Sequence, residues 1–213
     1  MKRFLSLVAM GLALCVFAGG PAKAVQADSV STATPFKVNK ETKTITLLAR
    51  VNGKYFELPT RHAIIFEGGK FGDKAIFTSY ANQMDVLEGL KALGAQAGNN
   101  MTSDNAAQTH VQGSPITIQV RWADHPEPLD INDVVVDSNG NRIEMHFGGN
   151  EVNAKEKNTG CIACLDSCPV GLISNATYTY GAVENRGEAE FRGNKDLLPP
   201  DGTPVVITLT VAE

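Results

Sequence analysis

The sequence predicts an α+β fold, mainly antiparallel β and sandwich-like, with one principal amphipathic helix at about residues 82–93. Three observations carry this. Short runs rich in Val, Ile and Thr recur between Gly, Pro and Asn turns. The run Ile116, Ile118, Val120 and Trp122 alternates with Thr117, Gln119 and Arg121, which is a strand with one buried face. Val86, Leu87, Leu90 and Leu93 fall on one face at helical spacing.

Residues 1–24 read as a cleavable signal peptide. Lys2 and Arg3 form the positive start, Phe4 to Gly19 the apolar run, and Ala22-Lys23-Ala24 a small-x-small cleavage site. Cys15 raises a lipoprotein alternative, but Leu14 stands where such a site wants a small residue. A periplasmic or otherwise exported product, cleaved near Ala24, is expected. Residues 25–213 carry 16 basic and 23 acidic residues, so their net charge is −7 with His neutral. No basic stripe is present to neutralise phosphates, which argues against nucleic acid. After the signal no apolar run is long enough to span a bilayer.

Residues 25–40 are small and polar and read as a flexible leader, leaving 41–213 as a single β-rich domain. Thr44 to Arg50 and Tyr55 to Leu58 are β-rich runs around Asn52-Gly53, a hairpin signal. His62 to Phe66 is a short strand followed by a Gly-rich turn, residues 68–72, that lacks phosphate-loop order. Asn82 caps the helix, Asp85 lies near its positive end, and Gly94 stops it. Residues 98–112 read as an irregular loop. Asp124 to Pro128 reads as a turn, with Asp124, Glu127 and Asp130 as solvated acids. Val134 to Val136 and Ile143 to Phe147 suggest a second hairpin. Thr177 to Tyr180, the surroundings of Phe191, and Val205 to Val211 complete the strands; Pro199 to Gly202 marks the last turn.

The loudest chemical feature is Cys161-x2-Cys164-x3-Cys168-Pro169, within a cysteine segment at 158–176. Three thiolates at this spacing converge when the backbone coils around one point, which suits a soft metal or an iron–sulfur cluster. The pattern matches the last three cysteines of the ferredoxin run C-x2-C-x2-C-x3-C-P, with Asn158 where the first cysteine would stand. A cluster therefore needs a non-cysteine ligand, for which Asn158, Asp166 and His146 are the candidates, or an open iron. The same thiols also allow a Cys161–Cys164 disulfide with Cys168 free, zinc or copper held by three cysteines and a histidine, or redox-active thiols. Haem attachment is excluded because no histidine follows the C-x-x-C. No acid/base or nucleophile constellation points to an enzyme.

His62 to Phe66, the helix Val86 to Leu93 with Gly94-Ala95, the strand Pro115 to Trp122, and the segment Gly160 to Ala176 together resemble the YdjY-type family of exported bacterial proteins. The cysteine segment resembles the cysteine-bearing branch of that family. The resemblance implies a ferredoxin-like or iron–sulfur protein, of the 4Fe–4S kind, without an assigned substrate. Two functions follow as expectations. The first is an exported iron–sulfur protein in electron transfer, with Cys161, Cys164 and Cys168 as ligands and a redox protein or membrane redox complex as partner. The second is a non-catalytic exported binding or scaffold domain whose cysteines form a disulfide or bind a structural zinc.

Overall fold

The computed structural model describes residues 30–212. The signal peptide expected at 1–24 and the first residues of the expected leader lie outside the described residues. In chain order the elements are β1 (Phe36–Asn39), β2 (Thr44–Val51), α1 (Lys54–Glu57), β3 (His62–Phe66), β4 (Phe77–Ser79), α2 (Gln83–Ala92), β5 (Ile116–Trp122) and β6 (His125–Asp130). They continue with α3 (Ile131–Val134), β7 (Val135–Asp137), β8 (Met145–Phe147), α4 (Glu151–Lys157), β9 (Cys161–Cys164), β10 (Ile173–Asn175), β11 (Phe191–Gly193) and β12 (Pro204–Val211). The end of the stretch read as a leader thus supplies β1.

The expected sandwich with one principal helix is not what forms. The protein is mostly β: one curled mixed sheet in the order β6-β5-β12-β2-β4-β3-β9-β10-β8, a half-barrel with four short helices around it. The physical reason lies in β2. One of its edges carries β12 along its whole length; the other is shared, with β1 on Thr44 to Leu47 and β4 on Ala49 to Val51. Strands that a sandwich would divide between two layers are therefore stitched into one. Two of the pairs, β3 with β4 and β9 with β10, are parallel. The sheet curls until its far end meets β5: Pro115 bridges His146, and Phe147 N–H donates to the Ser114 carbonyl at 2.9 Å.

The long antiparallel strands bury one face. Ile118 and Val120 of β5, and Val205, Ile207 and Leu209 of β12, point into the core beside Ile45 and Leu47 of β2. Helix α2 lies against β1 and β2. Asn82 caps it by accepting from the Met84 N–H at 2.8 Å. Gly89 lets the helix close in, since a Cβ there would stand 2.8 Å from Phe36 and 2.9 Å from Ile45. Among the described residues no helix is long and apolar enough to cross a membrane.

Several local expectations are corrected. Tyr55 to Leu58 is not a strand: Gly53 is right-handed at φ −62 and leads into α1. Asn52 and Gly53 are held apart from a hairpin by Asp73, whose carbonyl accepts from the Asn52 amide, and by Asp201, whose carboxylate accepts from Gly53 N–H. The acidic turn at Asp124 to Pro128 enters β6, which pairs with β5. The second hairpin is absent, because Val134 ends α3 under an Asp130–Asp133 capping box. Its two arms then part: β7 pairs with β11, and β8 pairs with β10. Thr177 to Tyr180 is a turn, not a strand, and Tyr178 OH donates to Asp137 at 2.7 Å.

Candidate functional site

The cysteine segment folds as β9 followed by a buried loop. On a regular strand Cys161 and Cys164, three residues apart, would point to opposite faces. The pairing of β9 with β3 is irregular, with shifts between His62 and Ile64 and between Ile64 and Ile65. Such an irregularity re-aims side chains. It sets both sulfurs on the side away from the main core, where Ile65, Ala75, Cys161, Cys164 and Cys168 form a second buried cluster. The Cys161 and Cys164 sulfurs are paired as a disulfide, and Cys168 is a buried free thiol.

The β3–β9 register places His62 opposite Cys164. Its Nδ1 lies 3.6 Å from Cys161 Sγ and 3.9 Å from Cys164 Sγ. Burial first, and then the positive charges of Arg61 and Lys74, lower the imidazole to about 3. It is therefore neutral at ordinary pH, the form in which histidine ligates metal. One ligand atom from each of His62, Cys161 and Cys164 lies within 4.8 Å of the others.

The loop after β9 is pinned through its backbone carbonyls by side chains at the start of α4. Asn150 donates to the carbonyls of Cys168 and Gly171, each at 2.8 Å, and Asn153 donates to Pro169 at 2.8 Å. Gly171 N–H points at Cys168 Sγ at 3.4 Å. A Cβ on Gly171 would stand 2.6 Å from Cys164 Sγ and 3.3 Å from Cys161 Sγ, so glycine makes the room the sulfurs occupy. The Gly-rich turn at 68–72 seals the other end: a Cβ on Gly69 would stand 2.4 Å from the Gly160 Cα.

Beside the thiols is a buried ion pair. Arg61 donates from Nε at 3.1 Å and Nη2 at 2.6 Å to Asp166 Oδ1, and Gly181 N–H donates to Asp166 Oδ2 at 2.9 Å. The Arg61 guanidinium stacks on Tyr180, 4.5 Å from the ring centre. Burial works most strongly against its charge, but Asp166, Cys168 and Tyr180 together hold Arg61 above its usual range. Burial also pushes the Cys168 thiol up, against the opposing pull of Arg61 and of the Gly171 and Val170 N–H groups. A cavity of about 570 Å³ opens over the site, with Cys161, Cys168, His62 and Arg61 in its wall.

The residues considered as a fourth ligand have other partners. Asp166 holds Arg61. Asn158 caps the end of α4 in a left-handed turn and accepts from the Gln83 amide at 3.0 Å. His146 sits on β8, with Nδ1 2.9 Å from the Gly113 carbonyl. Sequence reading ranks His62 below His146 as a ligand and does not single out Arg61. Both precede the cysteines by about a hundred residues, and only the β3–β9 pairing, which no local pattern announces, brings them together.

Fold and site define a class: a mostly β domain whose curled sheet carries a buried cysteine–histidine group beside an open cavity. The chain belongs to the YdjY domain family, whose model matches residues 36–210. It is 45% identical over 207 residues, covering 97% of this chain and 92% of the relative, to a protein of Escherichia coli (strain K12) named as the uncharacterized protein YdjY. No solved structure matches it.

Proposed function

We propose that this domain is an exported iron–sulfur protein of the ferredoxin-like kind, acting in electron transfer. Cys161, Cys164 and Cys168 are its thiolate ligands, and His62 replaces Asn158, Asp166 and His146 as the fourth. The observation that carries the reading is the neutral, buried His62 imidazole held against the Cys161 and Cys164 sulfurs of the C-x2-C-x3-C-P segment, which become thiolate ligands once a cellular thiol reductant has opened their pairing. The donor set fits the group: thiolate and imidazole are what such clusters take, as in centres where histidine replaces cysteine. When bound, a cluster supplies one-electron chemistry. The chain's own residues supply the ligands, the cage made by the Asn150 side-chain amide and the Gly171 N–H, and the positive charge of Arg61 beside the thiolates. The partner of such a centre is a redox protein or membrane redox complex, and its place is the periplasm.

The test is anaerobic purification with iron, zinc and acid-labile sulfide analysis and a visible spectrum. Iron and sulfide together, lost in the Cys161→Ser, Cys164→Ser, Cys168→Ser variant and reduced in His62→Ala, bear the reading out. Zinc without sulfide would assign the same four donors to a structural metal. A second reading is favoured by the pairing of Cys161 with Cys164: a disulfide-stapled scaffold domain with one buried thiol. Colourless, metal-free protein with one titratable thiol supports that reading and overturns the first.

A further inference from the structure

The cavity over the sulfur group has the size of a small-molecule site, about 570 Å³. Its chemistry is uneven. The floor is sulfur and imidazole. Two half-buried rings, Phe71 and Tyr180, stand in the wall. Both are fixed by cations, Lys74 Nζ lying 4.6 Å from the Phe71 ring centre and Arg61 stacking on Tyr180 at 4.5 Å. Arg61 is answered by Asp166. Glu184 also approaches Arg61, at 3.8 Å. Lys70, its Nζ 5.9 Å from the Phe71 ring centre, and Lys157 stand at the exposed rim with no ion pair among the described residues, against Glu156 as the carboxylate of the wall. Basic groups thus outnumber acidic ones here, on a chain whose residues 25–213 are acidic overall.

Water-filled surface clefts need neither fixed rings nor an excess of uncompensated cations above a buried reactive group. Rings hold planar molecules by stacking, and rim lysines draw in and orient anions. We infer that this cavity binds a small organic anion with a planar ring, laid between Phe71 and Tyr180 with its charge toward Lys70 and Lys157. Bound there, the molecule reaches Cys161 and Cys168 directly. This rests on the proposed function only for what the contact with sulfur accomplishes; the ligand class stands on the cavity alone.

The test uses anilinonaphthalene sulfonate as an anionic planar probe and phenylnaphthylamine as its uncharged counterpart, titrated by fluorescence into the purified protein. The expected result is saturation at a single site, with the anionic probe preferred by about tenfold. Reversal of both rim charges, Lys70→Glu with Lys157→Glu, weakens the anionic probe by about tenfold or more and leaves the uncharged one unchanged. Lys155→Glu, on the same helix but outside the cavity, is the control for general charge and leaves binding as it is. Equal binding of the two probes, or a double variant that behaves like the control, overturns the inference. Iron and sulfide are measured on the same samples. Protein with a cluster but no charge-dependent probe binding keeps the centre and sinks the cavity site; metal-free protein with such binding does the reverse.

Discussion

The two halves of the sheet are built on different terms. In the half made of β2, β12 and β5, strands are seven or eight residues long, antiparallel, and apolar mainly on one face. In the half made of β3, β9, β10 and β8, strands are three to five residues long, and β3, β9 and β10 are buried almost throughout. That second half also holds polar groups out of water: Arg61, His62, Asp166, Ser174 and Asn175 are all buried. Buried polar groups cost stability unless each finds a partner. The first half is stabilised by apolar burial and long ladders, with Thr46 as its buried polar side chain, while the second gives up that simplicity to hold a reactive group in fixed geometry.

The comparison can be broken most sharply at the ion pair. Asp166→Ala leaves the Arg61 charge buried without its partner and is expected to cost about 3–5 kcal/mol in denaturant unfolding. Replacing both residues, Arg61→Met with Asp166→Leu, is expected to recover most of that loss. If the single and double variants are equally unstable, the pair is not the element that holds the second half. In the first half, Leu47→Ala removes a fully buried side chain and is expected to cost about 3 kcal/mol, within the range for such truncations. Its thiol titre and metal content should be those of the unaltered protein, because Leu47 belongs to the main core and not to the sulfur cluster.

Gly171→Ala sharpens the contrast. The added methyl meets Cys164 Sγ, so a cost of about 1–3 kcal/mol from overpacking is expected. Unlike Leu47→Ala, it should also change the thiol titre or metal content, and a variant with an unaltered site would show that the sulfurs do not need the space. The smallest effect is expected from Asn82→Ala. Loss of the cap on α2 should lower stability by about 1 kcal/mol and leave the site untouched.

What was legible in the sequence follows the same division. β2, β5, β12 and α2 announce themselves because alternation, helical spacing and an Asn cap are local signals. In the sulfur-bearing half only β3, read as His62 to Phe66, and β8, inside Ile143 to Phe147, are legible; β9 and β10 are not, because they are short, buried on both faces and joined by partners distant in sequence. C-x2-C-x3-C-P marks the thiols, yet neither His62 nor Arg61 carries a motif, and sequence reading prefers His146 because the end of the expected second hairpin, which does not form, would have delivered it near Cys161. Val134 to Val136 shows how a good β run misleads: the capping box at Asp130 and Asp133 claims Val134 for a helix, and the strand begins one residue later.

The position of β12 has a consequence for the order in which the chain acquires its shape. This strand comes from the far end of the described residues, yet it lies between β2, from the near end, and β5. Until residues 204–211 are available, β5 and β6 are tied to the rest of the sheet through the Pro115–His146 bridge and not through a full ladder, and the longest edge of β2 stands open. Contacts so distant in sequence form late and slowly. A chain of this layout cannot close its sheet until residues 204–211 are in place between β2 and β5.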